Sequence, residues 1–96
     1  MQLEDADALD TARRLVETLP AGAEVILCPS FTALPGIAAI VRGSAVHLGA
    51  QDCAGQERGA LTGEVSPEDL VHIGCRFVIV GHSERRQHLG ETDAMI

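Results

Sequence analysis

The chain is 96 residues long, 46% hydrophobic and 22% charged, which is enough for one buried core and carries no low-complexity tract. Fourteen acidic residues against seven basic ones give a formal charge of −7, which argues against phosphate-backbone binding and against nucleic acid as a partner. With two Phe and neither Trp nor Tyr, the core has to be built from Val, Ile, Leu and Ala, the composition of buried parallel strands.

In chain order, Ala8, Leu9, Ala12, Leu15, Val16 and Leu19 recur at three- and four-residue steps. They predict a helix over 5–19, with Asp5 and Asp7 favourably placed in its first turn. Pro20 and Gly22 end it. The run from Glu24 to Cys28, closed by Pro29, reads as a buried strand. Ser30 is the expected N-cap of a second helix reaching Gly43, with Pro35 in its first turns. A second strand is expected over 45–50, followed by a polar segment from Gln51 to Glu64 that is too long for a turn.

Ser66-Pro67-Glu68-Asp69 combines a capping hydroxyl, proline at the first helical position and an acidic residue three beyond the cap. The helix it starts should stop at Gly74. A third strand is expected over 76–80, a helical stretch over 81–90, and a last helix capped by Thr92. Helices and strands therefore alternate, which predicts a parallel sheet with crossover helices and ligand sites at the carboxyl ends of its strands.

Cys28, Cys53 and Cys75 have no CxxC spacing and lie by apolar runs, so they read as buried thiols of a reducing, cytoplasmic environment, with no metal site. There is no basic leader followed by an apolar run, and no stretch long enough to span a bilayer, so no membrane partner is expected.

The chemistry concentrates where the third strand ends, at Gly81-His82-Ser83-Glu84-Arg85-Arg86. Gly81 permits a sharp turn or close ligand approach, and His82 then falls where a helix begins. The positive end of that helix disfavours an imidazolium, so the ring would act neutral, donating an N–H to a carbonyl or shuttling a proton. Taken alone, the pattern equally suits a histidine that merely caps the strand. Likewise Gly59 to Glu64 reads either as a loop that inserts into another surface or as a solvated loop.

Together, Gly49-Ala50-Gln51-Asp52-Cys53, the run from Gly59 to Ser66 and the run from Val78 to Arg86 closely resemble the triosephosphate isomerase family. Gly90-Glu91-Thr92-Asp93 fits the same pattern. The resemblance is strong from Gly49 onward and weaker before it. It implies an α/β fold, part of a (β/α)8 barrel of about 250 residues, here with three parallel strands and crossover helices.

It also implies interconversion of dihydroxyacetone phosphate and D-glyceraldehyde 3-phosphate through an enediolate, with no cofactor or metal. His82 would be the neutral electrophile, Ser83 would lie near the catalytic base and Glu84 would support the site. Gln51 and Asp52 would line the strand end behind it, and Arg85 would stabilise the region through an ion pair. Thr62, Gly63 and Glu64 would belong to the interdigitating loop of a homodimer. Asp52 departs from the family's usual Asn, and Leu61 from a bulkier residue.

The same resemblance assigns no substrate-holding residue to this chain. The family's Asn and Lys are expected before Met1, and its base glutamate, lid and late phosphate loops after Ile96. Residues 1–96 are thus expected to be a partial barrel domain, inactive by itself, with two bare sheet edges. An inert barrel fragment and a small phosphate-binding α/β module remain alternative readings.

Overall fold

A computed structural model of the chain describes residues 5–55 and 63–96. The helices are α1 (Asp5–Thr18), α2 (Leu34–Val41), α3 (Pro67–Ile73) and α4 (Ser83–Leu89), and the strands are β1 (Val25–Leu27), β2 (Val46–Ala50) and β3 (Phe77–Val78). The strands form one sheet in the order β1-β2-β3, and both pairings are parallel, with Val25 opposite Val46 and Gly49 opposite Phe77. The parallel α/β architecture expected of the alternating pattern is therefore present.

Alternation along the strands separates two faces. Leu27, Val46, Leu48 and Ala50 point into the helical layer and are almost fully buried. They meet Ala8 and Ala12 of α1, Leu34, Ile37 and Val41 of α2, and Leu70 of α3 in one core cluster. Ile37 and Leu34 are the largest fully buried side chains, each contributing about 1.5–3 kcal/mol by leaving water. The α1 stripe follows its periodicity at five of six positions: Ala8 and Ala12 are buried, Leu9, Leu15 and Leu19 pack against the core, and Val16 stays 37% exposed.

The opposite face carries Ile26, His47 and Phe77. Ile26 and Phe77 are each nearly half exposed, and no described element covers them. The rings of His47 and Phe77 meet edge to face at 5.8 Å. Gly49 lies between neighbours on this side: a Cβ there would sit 2.7 Å from Cys28 Sγ and 3.3 Å from the Phe77 carbonyl oxygen. Only glycine lets the three strand ends come so close.

Local boundaries differ from the sequence expectation in instructive ways. Ser30 precedes a 3-10 turn, Phe31–Ala33, and α2 proper starts at Leu34 with Pro35 in its first turn. The Ser30 hydroxyl makes no cap bond and instead donates to Asp5 Oδ1 at 3.3 Å, joined there by Thr32 Oγ1 at 3.0 Å. A long-range carboxylate has outcompeted the local cap. Ser66 does cap α3, its Oγ accepting from the Asp69 N–H at 3.1 Å. Thr92 heads only a 3-10 turn, Asp93–Met95, without a side-chain cap bond. The third strand is shorter than 76–80, although pairing to β2 continues as Ile79 N–H donates to the Ala50 carbonyl at 2.9 Å.

Candidate active site

The carboxyl ends of β2 and β3, with the 3-10 turn after β1, frame an open groove of about 430 Å³. Its lining includes Phe31, Gln51, Asp52, Ile79, His82, Glu84 and Arg85. Three segments distant in sequence thus converge on the strand-end rim, where a parallel fold brings its loops together. Gln51 joins two of those ends, donating from Nε2 to the Cys28 carbonyl at 3.0 Å.

Gly81 turns the chain from β3 into α4 with φ +64, the left-handed region that L side chains rarely adopt. His82 follows as the N-cap of α4. Its Nδ1 accepts from the Glu84 backbone N–H at 3.1 Å, and its carbonyl accepts from the Arg85 and Arg86 N–H groups. An Nδ1 that accepts this bond keeps its lone pair, which is the arrangement of the tautomer protonated at Nε2. His82 lines the groove while its Nδ1 is held by the helix start. Glu84 contributes through its backbone and lines the groove, and Ser83 is the exposed first residue of α4, outside the lining.

Behind the histidine lies a charged cluster. Arg85 Nε donates to Glu91 Oε2 at 2.8 Å and stands 3.1 Å from Asp52 Oδ1. Asp52 is the buried charged residue of the described core, 8% exposed. Burial pushes its carboxyl above the ordinary value, an effect that the Arg85 charge and a hydrogen bond from the Cys53 N–H partly offset. The hydrogen bond to Glu91, with the Asp52 charge behind it, raises the Arg85 guanidinium further. Arg86 tightens the same turn, donating from Nε to the Gly81 carbonyl at 3.0 Å and from Nη1 to Asp93 Oδ1 at 2.6 Å.

His82, Glu84, Asp52, Gln51 and Arg85 are thus brought to one rim. Glu91 is the member that reading the sequence left without a role. It lies six residues beyond Arg85, and only the left-handed Gly90 at the end of α4 folds it back. Of the expected dimer loop, Thr62 lies outside the described residues, while Gly63, at φ +89, and Glu64 are exposed. All three thiols are pushed up by burial. Among the described residues no group of three or more His, Cys, Asp or Glu could hold a metal ion, and no helix is long and apolar enough to cross a membrane.

Three parallel strands with helices between them and a histidine-bearing rim at the strand ends define a segment of a parallel α/β barrel. The profile of the family described as triosephosphate isomerase matches residues 1–96. The triosephosphate isomerase of Chloroflexus aurantiacus is 59% identical over 73 residues, 76% of this chain and 29% of that protein. That of Moorella thermoacetica is 50% identical over 93 residues, 97% of this chain and 36% of that protein. The crystal structure of triosephosphate isomerase from Bartonella henselae superposes with a TM-score of 0.90 at 30% identity, over 99% of this chain and 40% of that one. The chain belongs to the triosephosphate isomerase family, and it spans about a third of the length of the curated relatives it matches.

Proposed function

We propose that this chain supplies the histidine side of an active site that interconverts dihydroxyacetone phosphate and D-glyceraldehyde 3-phosphate. The observation that carries the reading is the His82 ring, bonded at Nδ1 by the Glu84 N–H and lining the strand-end groove. A base removes a proton from the carbon next to the substrate carbonyl, and negative charge develops on the carbonyl oxygen. The Nε2–H of His82 donates to that oxygen, a role the resemblance already assigns to the family's histidine. The ring then hands its proton to one oxygen of the enediolate and recovers one from the other, while the base returns its proton to the adjacent carbon. In this reading the base, and the groups that hold the phosphate, come from outside residues 1–96.

Residues 1–96 form one part of a barrel domain in this reading. The Thr62-Gly63-Glu64 stretch belongs to the contact of a homodimer, and the cytoplasm is the site of action.

A chimera tests the assignment: this chain replaces the matching segment of the Moorella thermoacetica relative, with and without His82→Gln. The parent chimera should turn over triose phosphate. The variant should lose about 10²–10³-fold in kcat, the cost of removing one donor to a developing oxyanion, with a smaller change in KM. A variant within about threefold of its parent would remove His82 from the chemistry.

A further inference from the structure

The helix that carries His82 buries none of its own side chains. A helix of seven residues with no buried face has neither the length nor the apolar contact to hold its orientation. Arg86 ties it to its own flanks, at Gly81 and Asp93. Arg85 does something different: it reaches Asp52, at the end of β2, and Glu91, beyond α4, from the same Nε. The Arg85 N–H also donates to the His82 carbonyl at 2.9 Å, so the tethered residue lies one helical turn from the ring.

We propose that Asp52 is a positioning residue for His82, holding α4 against the end of β2 through Arg85 so that the Glu84 N–H stays on Nδ1. Asp52 is buried while Arg85 keeps 26% of its side chain exposed, so the carboxylate is the rigid end of the tie and the guanidinium the adaptable one. A buried carboxylate is costly to keep charged, and a buried ion pair is weak evidence of a role in stability. Its presence is explained by what it orients. Two carboxylates on one guanidinium leave the cluster with an excess negative charge, which favours a close grip on Arg85 over release to water. A neutral amide at position 52 retains an oxygen acceptor in the same place and would hold Arg85 without that excess.

The inference rests on the reading of His82 as a ring that donates from Nε2, but its test reads the ring directly and needs no turnover. In the uniformly 15N-labelled full chain, two-bond correlations of the four histidines report which ring nitrogen carries the proton. The wild-type His82 should show an unprotonated Nδ1. Asp52→Ala should move the His82 nitrogens toward an average of both tautomers while His47 and His72, on β2 and α3, stay in place, and Asp52→Asn should restore most of the wild-type pattern. An Asp52→Ala chain with unmoved His47, His72 and His82 would overturn the proposal. If the alanine variant shifts all of them by loss of fold, Arg85→Lys decides, since a lysine ammonium cannot reach both carboxylates from the Nε position. Displacement of His82 alone supports the tie, and an unmoved His82 overturns it. A wild-type ring protonated at Nδ1 would instead contradict the proposed function, so the two failures are distinguishable.

Discussion

Gly81→Ala probes the link between backbone conformation and site most directly. Gly81 sits at φ +64, and an L residue forced into that region costs roughly 1–2 kcal/mol. An added Cβ would also meet Ile96 Cδ1 at 2.6 Å and Arg86 Nη2 at 3.2 Å. The isoleucine tip is half exposed and can rotate away. The guanidinium is less free, since it is bonded to the Gly81 carbonyl and to Asp93, and displacing it forfeits part of a bond worth about 0.5–1.5 kcal/mol. The sum is about 2 kcal/mol, a shift of roughly thirtyfold in the local opening equilibrium.

Gly90→Ala is the matched control: φ is +71, yet nothing lies within 4 Å of its added Cβ, so it bears the backbone cost alone. With no Trp or Tyr to report, urea unfolding is followed by far-ultraviolet circular dichroism, and exchange of the Arg85 and Arg86 amides reads the opening of α4 itself. Gly81→Ala should lower amide protection more than Gly90→Ala does. Equal protection in the two variants, or none lost in Gly81→Ala, would refute the claim that crowding at Gly81 shapes the entry to His82.

Ile37→Ala removes a fully buried side chain between α1, α2 and the sheet and should cost about 2–5 kcal/mol, whereas Val71→Ala, at a residue 69% exposed, should stay within about 0.5 kcal/mol in the same urea titration. Ser66→Ala deletes the cap bond to the Asp69 N–H and should cost about 1 kcal/mol, read as a lower midpoint at unchanged m. The folded-state carboxyl of Asp52 is raised by burial, so the folded chain binds this proton more tightly than the unfolded one. Stability therefore falls as pH rises from the unfolded value through the raised folded value, and Asp52→Asn should flatten that part of the profile. A variant curve parallel to the wild type throughout would contradict the burial argument. Because burial raises all three thiols, a disulfide reagent at mildly alkaline pH should modify the native chain slowly, Cys75 slowest, and all three quickly in denaturant.

Periodicity was sufficient for the elements whose signals are local. The three- and four-residue spacing of Ala8, Ala12 and Leu15, the Ser66-Pro67 start and the strand run around Val46 all reappear within a residue or two of the predicted positions. The placing of His82 at the head of a helix was legible for the same reason, since Gly81 and the apolar run before it are contiguous in sequence.

Ser30 shows where local reading stops: its hydroxyl prefers Asp5, 25 residues earlier, a choice no window around Ser30 contains. Asp52, Arg85 and Glu91 follow the same logic, because a guanidinium between two carboxylates depends on a β2 end and a left-handed Gly90 meeting in space. The sequence by itself determined the alternation of elements and the motif that bears the histidine, since both arise from neighbours along the chain. Only the tertiary structure decided which charges meet behind that helix, because Asp52 follows β2 while Arg85 and Glu91 lie on and beyond α4.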